Sequence, residues 1–324
     1  MKKISLSHRS LCLLIILLSA HCAHSSNFPQ RPIRLISPFS AGGGNDIISR
    51  ALANALSLKL NQSVVVDNRP GANTILAMEL LAHASKDGYT ILMSSSSQAI
   101  NATLYPQLPY DSIRDFSPIS RVGISPLVVA VHPSLAIHNI SDLIAAAKAN
   151  PGKILYPSAG IGNSTHLAGE LFATMSGVRL THIPYKGAGP GMVDLLAGRL
   201  QAVFATAPTA IPHLRTARLR PLALTSLKRS ALLPDLPTVS ESGIPGFEAC
   251  SWYGVIAPSG TPSDAIQVLS RSIKVILSTT EFRQQLETAG ADPDSNTPAE
   301  FAQYIKNEIS KWAKVIKLSG ATAP

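Results

Sequence analysis

Residues 156–172 read YPSAGIGNSTHLAGELF, which predicts the end of a strand, a tight glycine turn and the start of a helix. Gly160 and Gly162 let the backbone turn sharply without a Cβ in the way. A side chain among residues 163–165 can cap the helix that follows. Because the first turn of a helix has unpaired N–H groups and the positive end of the helix dipole, this stretch is suited to bind a small anion.

A second stretch of the same design, ISPFSAGGGNDIISRAL, occupies residues 36–52. A single glycine-rich connection between a strand and a helix is most often only a turn. Two of them in different halves of the chain predict two lobes that close on one small anion. Residues 160–165 lack the third glycine of a dinucleotide-binding motif, and residues 187–191 have a proline where the helix of such a motif should run. Neither of these two segments therefore predicts a nucleotide site.

The N-terminus predicts a secretory signal peptide over residues 1–26. Basic residues precede an apolar run at 11–18, which is too short to span a membrane. The residues before Cys22 fit a lipoprotein signal poorly, so we expect ordinary cleavage and a periplasmic protein without a lipid anchor. Cys250 is then the one remaining cysteine, and the mature chain can form no internal disulfide.

The overall charge is mildly positive, with a formal value of +9 over 324 residues. It falls to +6 when the three basic residues of the signal peptide are removed. No cluster of Lys and Arg is interleaved with aromatic residues, so we expect no nucleic-acid partner. The histidines show no ligand spacing, so we expect no metal and no cofactor.

Strand and helix patterns alternate along the mature chain, which predicts an α/β protein with a mostly parallel sheet in each lobe. Lobe 1 is predicted to contain residues 27–124 and 253–324, and lobe 2 residues 125–252, with the ligand cleft between them. Helices are predicted, among other places, over Ile140–Ala149 and Ser263–Leu277. The four serines at 94–97 follow a strand directly and are either hydroxyl donors to a ligand or a solvated loop.

Sequence motifs of catalysis are missing, among them the Gly-x-Ser-x-Gly elbow, the Walker loop, His-Glu-x-x-His and Cys-x-x-Cys. His166 is close to Ser164 and Thr165, but a capping role suits it better than a role as base. Asp46 lies in a first helical turn, where the helix dipole favours an acidic residue without any catalytic reason. The absence of a paired acid and base therefore predicts a binding protein and not an enzyme.

Several short motifs, by their order and spacing, resemble the Bug-type periplasmic solute receptors, which are the substrate-binding proteins of tripartite tricarboxylate transporters. The resemblance covers nearly the whole mature chain. Its motifs lie at residues 38–39, 42–46, 68–72, 87–90, 108–111, 115–116, 162–170, 184–187, 233–238 and 251–254.

This resemblance implies a type II-like periplasmic binding-protein fold that holds a small carboxylate between its lobes. The ligand would be a dicarboxylate, an amino acid or an aromatic acid, and the partners would be membrane permease subunits. The protein would act as a monomer. Two alternatives stay open, namely a co-sensor that docks a sensor kinase and a small exported hydrolase or lyase.

Ligand-binding residues are predicted from the two glycine-rich stretches, the serine run and one position in lobe 2. Ala41 and Ala205 depart from the family pattern, which often has Pro and Asp there, so the identity of the ligand is left open. The predicted residues are Phe39, Ser40, Ala41, Gly42, Gly43, Asp46, Ser94, Ser97, Ser158, Gly160, Gly162, Asn163, Ser164, Thr165, His166 and Ala205.

Overall fold

The computed structural model describes residues 28–42, 44–185 and 188–323. The predicted signal peptide and Gly43 lie outside these residues. The strands are β1 (Ile33–Ser37), β2 (Val64–Asn68), β3 (Thr90–Ser95), β4 (Phe116–Val131), β5 (Leu155–Ser158), β6 (Thr181–Pro184), β7 (Ala202–Thr206), β8 (Arg220–Leu224), β9 (Cys250–Pro258) and β10 (Asp292–Pro293). The helices are α1 (Gly44–Leu60), α2 (Ile75–Ala82), α3 (Ser97–Leu104), α4 (Ile140–Ala149), α5 (Ser164–Ser176), α6 (Ala188–Leu196), α7 (Ala207–Arg215), α8 (Ser263–Leu277), α9 (Thr280–Thr288) and α10 (Pro298–Ser319).

The long strand β4 connects two regions of sheet. Through residues 116–126 it pairs with β9, and the sheet continues in the order β10-β4-β9-β3-β1-β2. From Leu127 to Val131 it pairs instead with β7 on one side and β8 on the other. Strands β5 and β6 form a separate parallel pair. The change of partner at Pro126 and Leu127 supports the proposed lobe boundaries near residues 124 and 252, which stay a prediction.

The sheet is mixed, which corrects the expectation of mostly parallel sheets. Parallel pairing joins β1 to β2, β1 to β3 and β5 to β6. Strands β4 and β9 are antiparallel to each other, because the chain leaves the first sheet region along one and returns along the other. Strands β7 and β8 also run antiparallel to β4.

The C-terminal helix α10 packs against α3, α5 and β4. It begins with a capping box in which the Thr297 and Glu300 side chains bond each other's backbone N–H groups. Trp312 and Phe301 are fully buried, and the Phe301 ring meets Trp252 of β9 edge to face at 5.5 Å. Helix α10 therefore packs both α3 and α5 against the rest of the fold. No helix among residues 28–42, 44–185 and 188–323 is long and apolar enough to cross a membrane.

The serine run is not a solvated loop. Ser94 and Ser95 belong to β3, and Ser97 opens α3, a helix that the sequence analysis did not predict. Ser94, Ser95 and Ser96 are all at most 5% exposed. The run therefore lies at the end of a strand and the start of a helix, which is where ligands of open α/β sheets bind.

Candidate functional site

A cavity of about 230 Å³ lies where the sheet edges and several helix starts meet. The first turns of α1, α3, α5 and α6, together with Thr206 and Thr209 at the start of α7, all contribute to its wall. Because each first turn directs unpaired N–H groups and the positive end of a dipole along its axis, this arrangement favours an anion.

The cavity wall carries many hydroxyls and, among its described residues, no charged side chain. Among its described residues none is Asp, Glu, Lys, Arg or His. Hydroxyl-bearing side chains make up much of the wall, and they are Ser95, Ser96, Ser97, Ser158, Ser164, Thr165, Thr206, Thr209, Ser251 and Tyr253. Burial raises the pKa of Tyr253 to about 12, so its phenol stays protonated at neutral pH and can donate a hydrogen bond. Hydroxyl and main-chain donors are therefore the groups that this wall offers to an anion.

The turn before α5 is held in shape by its own hydrogen bonds. Asn163 caps the helix, since its Oδ1 accepts from the Thr165 N–H at 3.0 Å. The Thr165 hydroxyl accepts from the Ala159 N–H at 3.1 Å and donates to Asn163 Oδ1 at 3.0 Å. Gly160 and Gly162 have φ values of +142° and +73°, which residues with a side chain rarely adopt. The turn is therefore preorganised, as the glycine pattern predicted.

Two stacked imidazoles lie beneath this turn. The rings of His166 and His182 are 3.8 Å apart between centroids. His166 Nδ1 accepts from the Gly162 N–H at 3.1 Å, so that nitrogen carries no proton. His182 Nε2 shares a hydrogen bond of 2.6 Å with the hydroxyl of Ser158, which lines the cavity. The histidine pair thus stabilises the turn through Gly162 and Ser158 and does not itself line the cavity.

Burial lowers the pKa of both His166 and His182 to about 4, and for His166 the neighbouring imidazole adds to the shift. An unfolded histidine titrates near pH 6.5. Between about pH 6.5 and pH 4 the unfolded chain therefore binds protons that the folded chain does not, and the free energy of unfolding falls as the pH falls. Urea titrations across this range should show the decline, and His166→Gln should make it shallower.

The matched control for this pH experiment is His83→Gln, because His83 is exposed on the surface. The pH series of this variant is the reference with which the series of His166→Gln is compared. An equally steep decline in His166→Gln would show that the stacked pair does not cause it.

In the glycine-rich stretch at residues 36–52, the Asp46 side chain is engaged by other protein groups and does not line the cavity. Its carboxylate accepts from the Gly42 N–H, Arg50 Nε and Asn68 Nδ2 at 2.9, 3.0 and 2.8 Å. Burial works against ionisation of Asp46, yet these hydrogen bonds and the Arg50 charge hold its pKa below the ordinary value. Asp46 therefore shapes the loop that carries Phe39 to the cavity.

The structure brings seven of the predicted residues together in the cavity wall. These are Phe39, Ser97, Ser158, Asn163, Ser164, Thr165 and Ala205. The predicted residues that lie outside the described wall are Ser40, Ala41, Gly42, Asp46, Ser94, Gly160, Gly162 and His166. Ser94 donates to Gln98 Oε1 at 2.6 Å, so its hydroxyl is already engaged. Gly43 lies outside the described residues.

Other residues of the wall were not among the predicted binding residues. Ser251 and Tyr253 lie in a motif of the resemblance, and that motif was the signal that could have found them. Nothing in the local sequence marks Met192 or Thr209. Six of these wall residues lie within the predicted glycine-rich stretches and the serine run, namely Gly44, Asn45, Ser95, Ser96, Pro157 and Ala159. The others are Ala188, Met192, Val203, Phe204, Thr206, Thr209, Ser251 and Tyr253.

A family model and several relatives match most of this chain. The model of the tripartite tricarboxylate transporter family receptor matches residues 48–321. Protein BugT of Bordetella pertussis is 39% identical over 299 residues, 92% of each chain. The solved structure of R. palustris Rpa4515 with adipate is 35% identical and has a TM-score of 0.79, covering 91% of this chain and 99% of that one. MatC from Rhodopseudomonas palustris with bound malate is 27% identical with a TM-score of 0.74, covering 89% and 100%. These similarities confirm the predicted periplasmic binding-protein fold.

Proposed function

The chain belongs to the tripartite tricarboxylate transporter receptor family, and from this we propose that it binds a small carboxylate in the cavity and delivers it to a membrane permease. The observation that carries the proposal is the convergence of helix starts on a wall rich in hydroxyls and without a charged side chain among its described residues. Solved relatives hold adipate and malate. The periplasm is the proposed location, as in other receptors of this family.

Neutral donors are strong enough for this purpose. A hydrogen bond to a charged group contributes on the order of 1.5–3 kcal/mol. Micromolar binding needs about 8 kcal/mol in total. Three or four such bonds, with the helix dipoles adding to them, reach this value without an ion pair.

Thermal unfolding in the presence of small acids tests the proposal. At a ligand concentration of about 100 times Kd, linkage stabilises the folded state by roughly 2.7 kcal/mol and should raise the melting temperature by several degrees. The panel contains mono-, di- and tricarboxylates, amino acids and aromatic acids. The primary amide of each active acid is the control, and it should give no shift because it lacks the charge. A panel without any shift would contradict the proposal.

We propose binding without turnover, although Ser158 and His182 form a hydroxyl–imidazole pair that the sequence analysis did not foresee. No carboxylate among the described residues hydrogen-bonds the His182 ring to orient it, and its lowered pKa makes it a weak base. The Ser158 hydroxyl also lies 3.0 Å from the Gly160 carbonyl oxygen, which competes for its proton. Incubation with simple esters, amides and hydroxy acids should give no product, and robust turnover would favour the hydrolase alternative.

A further inference from the structure

The cavity is separated from a second hollow on the surface by a single layer of side chains. This outer groove runs between α6 and α7, has a volume of about 650 Å³, and is lined by Met192, Val193, Leu196, Thr209 and Pro212 with Arg218 at its rim. Met192 and Thr209 line both the cavity and the outer groove. They therefore form the partition between the two spaces.

The two partition residues differ in how their side chains are held. Thr209 is tied to Thr206 by a hydrogen bond of 2.8 Å between their hydroxyls. Met192 is unbranched and belongs to a cluster of buried apolar residues that includes Val203 and Ala205. Methionine adapts its shape easily because it has three rotatable bonds. Rotation of this one side chain would join the cavity to the outer groove.

The backbone of α6 packs closely against β5. A Cβ on Gly191 would lie 2.6 Å from Pro157 Cβ, so the helix already sits directly on the end of β5. Met192 itself is 5% exposed, whereas Val193, the next residue, is 64% exposed and faces the groove. The Met192 side chain thus controls the passage.

The polarity of the two spaces suits a ligand with two unlike ends. The starts of α3 and α5 present hydroxyls and N–H groups to a carboxylate. The wall around Met192 presents Pro157, Val203 and Ala205, which offer no side-chain donor. Beyond the partition the outer groove is mostly apolar. An alkyl chain leading away from the carboxylate would therefore gain burial at each step along this route.

We propose that the preferred ligand is a carboxylate with an extended apolar chain, which turns Met192 aside and reaches into the outer groove. Met192 is then the residue that decides how long a ligand the site accepts. This inference rests on the proposed function, because it presumes that the carboxylate end is bound in the cavity.

Titration calorimetry with butanoate, hexanoate, octanoate and decanoate tests the inference. Each added methylene that enters the groove should tighten binding by about fourfold. Val193→Glu places a charge in the groove and should weaken octanoate and decanoate by at least about tenfold, while the affinity for butanoate stays unchanged. Met192→Trp should also weaken octanoate and decanoate, because the larger side chain blocks the passage to the groove.

Met175→Trp is the matched control, because Met175 is 41% exposed on α5 and lines neither space. It should leave the whole series unchanged. Decanoate that binds no more tightly than butanoate, or an unchanged decanoate affinity in Val193→Glu, would overturn the inference. If adipate or malate binds but the chain-length gain is missing, the inference fails and the proposed function stands. If no acid of any kind binds, both fail.

Discussion

Gly160→Val is expected to abolish measurable carboxylate binding while the protein stays folded. Gly160 has a φ of +142°, which a β-branched residue cannot adopt without strain. Space is not the obstacle, because a Cβ there would meet only the Tyr185 carbonyl oxygen at an ordinary 3.7 Å. The backbone must instead rotate and break the bonds of the Gly160 N–H to Ser158 and of the Asn163 N–H to the Gly160 carbonyl.

Loss of that turn removes the donors at the start of α5 from their positions. Affinity should fall by more than about a hundredfold, roughly 2.7 kcal/mol, as measured by titration calorimetry. Gly177→Val is the matched control, because Gly177 ends the same helix with a φ of +66° and has nothing near its missing Cβ. It should lower the melting temperature and leave the affinity unchanged.

A side-chain ion pair is the competing explanation for anion binding. Lys186, which lies outside the described residues, is the nearest basic residue in sequence to the cavity residue Ala188. Lys186→Ala should weaken binding by less than about tenfold, roughly 1.4 kcal/mol. If Lys186→Ala lost binding and Gly160→Val kept it, a cation and not the turn would hold the ligand.

Gly162→Ala should lower both stability and affinity, because a Cβ at this position would overlap the side chain of Leu104 in α3. Its φ of +73° adds the strain of a left-handed conformation. Overpacking and strain together are expected to cost about 2–5 kcal/mol of unfolding free energy. Urea denaturation measures that cost, and calorimetry should show at least about a tenfold loss of affinity.

A second substitution shows whether the overlap with Leu104 is the cause. Leu104→Ala alone removes a buried side chain and should cost about 2–5 kcal/mol. In the Gly162→Ala background it also removes the overlap, so the double variant should be more stable than the sum of the two single effects predicts. Strictly additive effects would mean that backbone strain, and not the contact with α3, limits position 162.

The sequence by itself determined those helices, caps and turns that depend on neighbouring residues along the chain. Helices α4 and α8 have the bounds that their apolar spacing predicted, Ile140–Ala149 and Ser263–Leu277. The cap of α5 at Asn163 and the turn around Gly160 also followed from residue type, because capping and positive φ depend on neighbours along the chain. The sequence analysis did not predict helix α7, which contains two prolines. Pro208 lies in its first turn, where proline loses no helical hydrogen bond, whereas Pro212 lies inside the helix, where proline is normally disfavoured.

Only the tertiary structure decided which polar and apolar groups meet at the cavity. Ser251 and Tyr253 reach it because β9 returns antiparallel beside β3 and β4, and no local pattern sets that pairing. His166 and His182 stack because α5 packs over β6, and this contact turns two scattered histidines into a support for the turn. Met192 separates the cavity from the outer groove only because α6 packs against Pro157 in the folded chain. Such contacts depend on how side chains from distant segments fill a shared volume, and that property belongs to the packed chain as a whole.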